Sequence, residues 1–232
     1  MIATTGFESP TMSKVFPNRC VAGRELAALL ASKRLPNPIV LALPRGGVPV
    51  GYEVAHALGI PLDVLVVRKV GAPQQPELAI GAVGHGATVL DEETIAMLGV
   101  PQEYIQAAVG RERLDVERRT ALFRAELPPL ELKGKTAVLV DDGLATGATA
   151  EAAVDVARHL GAEQVVVAVP VASVEAVKRL SAKADAVISL ATPPFFRAVG
   201  YWYEDFAATE DEEVQRLLKV ARLEREAGYR PA

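Results

Sequence analysis

Two adjacent carboxylates followed by small residues and hydroxyls are the part of this sequence best equipped for chemistry. The segment VLVDDGLATGATA, Val138 to Ala150, leaves an apolar run at Asp141 and Asp142, then passes through Gly143, Leu144, Ala145, Thr146 and Gly147 to Ala148 and Thr149. Neighbouring anions repel unless a cation or a hydrogen-bonding vicinal diol compensates them. The next turn supplies two threonine hydroxyls and the start of a helix, where free backbone N–H groups and the dipole favour an anion. One loop can therefore hold a sugar diol on its acidic side and a phosphate on its hydroxyl side. A plain cap and turn would account for the two aspartates alone, but not for Thr146-Gly147-Ala148-Thr149 following in register. The loop lacks the Gly-Lys-Ser/Thr ending of a P-loop and the Gly-x-Gly-x-x-Gly pattern of a dinucleotide site.

A second loop, LPRGGVPVG from Leu43 to Gly51, places Pro44, Arg45, Gly46 and Gly47 after another apolar run. Glycines let backbone amides approach a ligand, and an arginine can fork onto an anionic oxygen. The simpler reading is a tight turn with a solvent-facing arginine. Arg68 and Lys69 sit at the end of a third apolar run. Strand alternation puts them on opposite faces, and a charged strand end facing solvent explains them equally well. Phe195, Phe196, Tyr201, Trp202, Tyr203 and Phe206 concentrate half of the chain's aromatic residues near its end. Such rings either stack on a flat ligand or pack a small core. Asp205 among them either reads an exocyclic amine or caps a turn. His56, His85 and His159 have no metal-ligand spacing and read as surface or boundary residues. The charged run Arg111–Arg119 reads as a solvated helix face.

The elements that carry these loops follow from pattern. Val21–Ala31 reads as a helix stopped by Pro36 and Pro38. Ile39–Leu43 and Leu62–Val67 are expected as strands flanking a helix at about Val48–Leu58. Gly71–Gly86 reads as a loop followed by a hairpin, Ile80–Val83 against Thr88–Leu90. A long helix is expected from Pro101 to about Glu126. Strands at Thr136–Val140, Val165–Val169 and Ala186–Leu190 alternate with helices at Gly147–Leu160 and, capped by Ser173, up to Leu180. Thr209 and Glu212 have capping-box spacing before a terminal helix. Five strands separated by helices imply a doubly wound α/β fold with a mostly parallel five-stranded sheet. On such sheets ligands sit beyond the carboxyl ends of strands, where the two loops fall.

The chain has 232 residues, half of them apolar and 23% charged, with a formal net charge of -4. It is sized for one domain and too apolar for general disorder. Its charge argues against duplex-DNA binding. The lone cysteine, Cys20, excludes an intrachain disulfide and a Cys-rich zinc site. No apolar stretch of about 18 residues suggests a membrane span, and the first residues do not read as a signal peptide. The expectation is a cytoplasmic protein with no nucleic-acid or membrane partner.

The Val138–Ala150 segment resembles the signature of the type I phosphoribosyltransferases, which bind 5-phosphoribosyl-1-pyrophosphate (PRPP). The resemblance covers about residues 20 to 220. It implies one domain over 1–232, with a core at about 36–192, an insert carrying a flexible loop at about 71–130, and a hood from about 1–35 and 193–232. It implies that Asp141 and Asp142 lie near the ribose hydroxyls and that Gly143–Thr149 hold the 5-phosphate. Pro44–Gly47 would be the pyrophosphate loop, with a non-proline cis bond at Pro44–Arg45 or Arg45–Gly46. Arg68 or Lys69, with Lys69 favoured, would meet the pyrophosphate. The Ala72–Glu77 stretch matches the flexible loop. Phe195, Tyr201, Trp202, Tyr203 and Asp205 would serve the base or the hood.

The implied reaction is Mg²⁺-dependent transfer of the phosphoribosyl group to a nitrogenous base, with magnesium held mainly by PRPP and water and by Asp141 and Asp142. Hypoxanthine-guanine members have an acid at the place of Ala145, whereas adenine-type members can have alanine there. A non-catalytic PRPP-binding regulator and a hydrolase of a related sugar phosphate are the alternatives. The family resemblance also implies a homodimer.

Overall fold

The computed structural model describes residues 15–124, 127 and 129–229. The first part of the hood expected at about 1–35 falls outside that range through residue 14, as does the expected helix end at Glu126. Helix α1 (Arg19–Ala31) starts where the Asn18 side chain accepts from the Val21 amide, and it buries Ala22, Leu26, Ala27 and Leu30. Strand β1 (Pro38–Ala42) leads through a turn into α2 (Gly47–Leu58), which ends at Gly59 with φ 62°. Then come β2 (Leu62–Val64), β3 (Val67–Ala72), β4 (Gln75–Gly84) and β5 (Ala87–Leu90). Helices α3 (Glu92–Leu98) and α4 (Gln102–Arg124) precede β6 (Thr136–Val140). The chain continues through α5 (Ala148–His159), β7 (Gln164–Val171), α6 (Val174–Leu180), β8 (Ala186–Ala191) and α7 (Asp211–Glu226).

The main sheet has five parallel strands in the order β2-β1-β6-β7-β8. Its near-continuous apolar strands are those of a sheet covered on both faces. Alternate residues point to opposite sides. Ile39, Leu41, Leu139 and Val167 pack with Ala153 and Val156 of α5, whereas Val40, Val138 and Ala168 pack with Leu26 of α1 and Val54 of α2. A second, antiparallel sheet, β3-β4-β5, packs against α4 and α7 through Val70, Ile80, Ile105, Phe123 and Leu217. Among the described residues, no helix is long and apolar enough to cross a membrane.

Helix α3 is an element the sequence does not lead one to expect, and three expected elements take a different form. The strand expected over Leu62–Val67 divides in two. The Leu65 amide still donates to Ala42 at 3.1 Å, but β1 turns away at Leu43, so the chain finds no parallel partner beyond it and enters the antiparallel sheet. The loop expected before the Ile80 hairpin is largely strand. Residues from Gln75 onward pair with β3, with irregular register around Gly71. A Cβ at Gly71 would lie 2.5 Å from the Pro76 carbonyl, so glycine there permits the close approach of the two strands. Finally, α7 starts at Asp211 with Glu210 as its cap residue and no side-chain capping bond. Thr209 is buried instead.

Candidate active site

The site is built where the order of the parallel sheet reverses. From β1 the chain crosses to β2 on one side and returns at β6 on the other. The two strands run in register to Ala42 and Val140, and the Leu43 amide donates to the Val140 carbonyl at 2.8 Å. Their outgoing loops, Pro44–Gly47 and Asp141–Thr149, therefore leave the sheet side by side, in the crevice where open α/β sheets bind ligands. Glycine makes this apposition possible. A Cβ at Gly46 would overlap the Asp142 carboxylate, and one at Gly47 would lie 2.5 Å from the Val140 carbonyl. The Pro44–Arg45 peptide is cis, one of the two positions expected.

The acidic pair is tied to both ends of the chain. Asp141 Oδ1 accepts from the Asp142 amide at 2.8 Å. Asp142 Oδ2 accepts from Arg19 Nε at 2.8 Å, with only 11% and 14% of the two side chains exposed. Arg19 also donates to the Ala207 carbonyl at 2.7 Å and lies 3.9 Å from the Phe206 ring centroid. The Tyr203 hydroxyl donates to the Asp142 carbonyl at 2.6 Å. Burial holds the Asp141 carboxyl well above the usual range, and the charge of Asp142 adds to that. Burial also raises Asp142, against the opposing pull of Arg19. Burial first, and then the Asp142 charge, push the Tyr203 phenol up. Two carboxylates held close in a shielded place are poised for a cation or a donor-rich ligand.

Beyond the pair, the loop is pinned from the neighbouring strand. Leu144 donates to the Val171 carbonyl at 2.9 Å and accepts from the Ser173 amide at 2.9 Å. Ser173 Oγ donates to the Ala145 carbonyl at 2.6 Å. Gly147 adopts φ 74°, the left-handed conformation that suits glycine, and α5 begins at the next residue. Ala145, Thr146 and Thr149 remain exposed, so the helix start faces outward.

The candidate cations separate. Arg45 lies 3.6 Å from both Glu210 and Asp211 at the start of α7. Lys69 Nζ donates to Glu77 at 2.8 Å along the β3–β4 hairpin. Arg68, on the opposite face, donates to Asp115 of α4 at 2.7 Å. The aromatic candidates separate too. Trp202 and Tyr203 are buried with Phe16, Ala22 and Val171, and the Phe16 amide donates to the Trp202 carbonyl at 2.8 Å. Phe195 and Tyr201 are 87% and 65% exposed. Asp205 Oδ1 accepts from the Ala207 amide at 3.0 Å and so caps a turn.

The histidines lie apart: His56 contacts Glu224 and Tyr229, and His85 lies 3.2 Å from Arg124. No group of three His, Cys, Asp or Glu residues among the described residues could hold a metal on its own. Sequence reasoning missed Arg19. Asn18 marks a helix start, but nothing local announces a partner 123 residues away.

This sheet, with its two glycine-assisted loops at the switch point, is that of a phosphoribosyltransferase. The phosphoribosyl transferase domain family matches residues 17–204, and the chain belongs to this type I family. Two curated relatives from Mycobacterium tuberculosis, MT0597 of strain CDC 1551 / Oshkosh and Rv0571c of strain H37Rv, are provisionally named phosphoribosyl transferases. Each is 47% identical over 209 residues, covering 90% of this chain and 47% of the relative. The chain thus spans about half the length of the curated relatives it matches. The crystal structure of TT1426 from Thermus thermophilus is 48% identical, with a TM-score of 0.83 over 88% of this chain and 97% of that one.

Proposed function

We propose that this chain transfers the 5-phosphoribosyl group of PRPP to a nitrogenous base and releases pyrophosphate. One observation carries the reading: the Pro44–Gly47 and Asp141–Thr149 loops leave adjacent strands in contact, with Asp142 packed on Gly46. The Ala145–Thr149 turn, exposed at Ala145, Thr146 and Thr149, and the start of α5 would anchor the 5-phosphate. Asp141 and Asp142 would orient the ribose hydroxyls and stabilise positive charge growing on the sugar. The Gly46 amide, with Arg45, would receive the pyrophosphate, while the Gly47 amide holds the turn by donating to the Leu43 carbonyl at 3.1 Å; Lys69 would reach the ligand from the hairpin. Arg45 and Lys69 would then exchange Glu210, Asp211 and Glu77 for the ligand. Because these pairs are solvent-exposed, the exchange costs little. Closing the β3–β4 tip over the site would exclude water from the reactive sugar.

Magnesium fits this donor set. Two carboxylates are hard oxygen ligands, and Mg²⁺ keeps waters and substrate oxygens while needing few groups from the protein. Asp141 and Asp142 would hold it alongside the oxygens of PRPP, and it would supply charge neutralisation for the departing pyrophosphate.

The test is pyrophosphate release from PRPP with magnesium, over adenine, guanine, hypoxanthine, xanthine, uracil, orotate and no base. Release that requires an acceptor supports transfer. Release without any acceptor would make the chain a hydrolase, and calorimetric PRPP binding without release would make it a regulator.

A further inference from the structure

Two successive peptides of the Asp141–Thr149 loop are turned the same way by one residue outside it. The Leu144 carbonyl accepts from the Ser173 amide at 2.9 Å, and the Ala145 carbonyl accepts from Ser173 Oγ at 2.6 Å. The next carbonyl, that of Thr146, accepts from Arg179 of α6 at 3.3 Å. A trans peptide is planar, with its C=O and N–H on opposite edges. Drawing the Leu144 and Ala145 carbonyls to Ser173 therefore aims the Ala145 and Thr146 amides away from it. Among the described residues, no group accepts from either amide. Their neighbours are spent: the Leu144 amide donates to the Val171 carbonyl, and the Ala148 amide donates to Thr146 Oγ1 at 3.4 Å. Consecutive unpartnered amides on one side of a turn form an anion-binding concavity, and both residues are exposed.

Ser173 is itself held firmly. It is only 3% exposed, and the amide of Ala172 just before it donates to the Ala191 carbonyl of β8 at 3.0 Å. A serine hydroxyl has one proton to donate and lone pairs with which to accept. A lone pair takes the Ala176 amide at 2.9 Å, which caps α6. The proton goes to Ala145. Capping needs only an acceptor, and aspartate or asparagine would supply one equally well. The donated bond is what capping leaves unexplained. Gly147 completes the fit. With φ 74°, a Cβ there would lie 3.2 Å from the Ala176 Cβ, so the turn rests on the start of α6 at Ala145 and again at Gly147.

We propose that Ser173 is a positioning residue for phosphoribosyl transfer: without touching the substrate, it holds the Ala145 and Thr146 amides toward the 5-phosphate, and its hydroxyl sets the affinity for that phosphate. The inference rests on the phosphoribosyl-transfer reading. The 5-phosphate takes no part in bond making or breaking, so Ser173 acts on substrate binding rather than on the chemical step.

Two fragments of the substrate separate the ends of the site. Ribose 5-phosphate probes the Ala145–Thr149 turn, and pyrophosphate with Mg²⁺ probes the Pro44–Gly47 loop. Calorimetry measures both, and PRPP, on wild type, Ser173→Ala and Ser173→Thr. The expected result is that Ser173→Ala weakens ribose 5-phosphate and PRPP by about tenfold, the scale of a hydrogen bond to a charged group, and leaves pyrophosphate within about twofold. Ser173→Thr, which keeps the hydroxyl, regains most of the loss. In wild-type NMR spectra, ribose 5-phosphate moves the Ala145 and Thr146 amide protons downfield more than those of Leu144 and Ser173, which stay bonded to protein carbonyls. An unchanged affinity of Ser173→Ala for ribose 5-phosphate overturns the proposal and spares the transfer reading. Equal losses for both fragments, as a merely loosened fold would give, also overturn it. Should Ser173→Ala fail to fold, the wild-type spectra decide, and larger shifts at Leu144 or Ser173 than at Ala145 and Thr146 overturn the proposal. Failure of wild type to bind PRPP overturns the transfer reading and the proposal together.

Discussion

The loop at Asp141–Thr149 and the aromatic segment at Phe195–Phe206 lie against each other, yet the fold treats their residues in opposite ways. In the loop, neighbours in sequence share one task. The backbone is pinned through Leu144 and Ala145 to Val171 and Ser173, and Thr146 and Thr149 stay exposed around a helix start. In the aromatic segment, neighbours in sequence part company. Tyr201 is 65% exposed, whereas Trp202 and Tyr203 enter a small core with Phe16. A motif whose function lies in its own backbone can be read from adjacent residues. A cluster whose function depends on which members are buried cannot.

The largest effect expected from this contrast is on stability. Trp202→Ala removes a buried ring from the small core around Phe16 and should cost about 3–5 kcal/mol, whereas Phe195→Ala, a few residues away, should stay within about 0.5 kcal/mol. Urea denaturation of the two variants compares them directly, and equal costs would erase the distinction. On the loop side, Asp142→Asn should lower the rate of pyrophosphate release by roughly 100- to 1,000-fold, the scale of losing one preorganised electrostatic group. Its melting temperature should move far less than that of Trp202→Ala.

Arg19→Ala sharpens the link between the two regions, because Arg19 touches both Asp142 and Phe206. Arg19 pulls the Asp142 carboxyl down, so its loss should raise that group further. The acid limb of the pH–rate profile should then move to higher pH, with activity near neutrality down by about tenfold, the scale of a disrupted charged hydrogen bond. Arg19→Lys should recover part of the shift.

The smallest effect concerns Arg68, which the fold assigns to α4. Asp115 is held down at about 2, first by the hydrogen bond from Arg118 and then by Arg68. A carboxyl with a depressed folded value adds stability above its unfolded value of about 3.9. That contribution fades as pH falls toward about 2. Asp115→Asn should therefore flatten the acid side of a plot of melting temperature against pH and leave pyrophosphate release at neutral pH unchanged.

Much of the parallel sheet was legible because its strands are unbroken apolar runs. Thr136–Val140 is a strand with the bounds its residues suggest, and Ser173 caps α6 as its position implies, accepting from the Ala176 amide. The hairpin was only partly legible. Gly71, Pro73 and Pro76 carry turn chemistry locally, yet pairing with β3 draws Gln75 onward into a strand. Helix α3 is seven residues long, with no fully buried residue and only Ile95 packed against the core, too short for its apolar spacing to stand out. At the site, the two loops could be named from their residues, but their contact depends on β1 pairing with β6. The Arg19–Asp142 pair depends on how the first helix lies across the sheet, and no local pattern encodes that.

The most direct measurement is the change in backbone amide shifts by NMR when PRPP and Mg²⁺ are added to the chain. The account predicts saturable changes that are largest at Gly143–Thr149 and at Gly46 and Gly47, and that shrink in Asp142→Asn. Saturable changes centred elsewhere, or no saturable change, would contradict it.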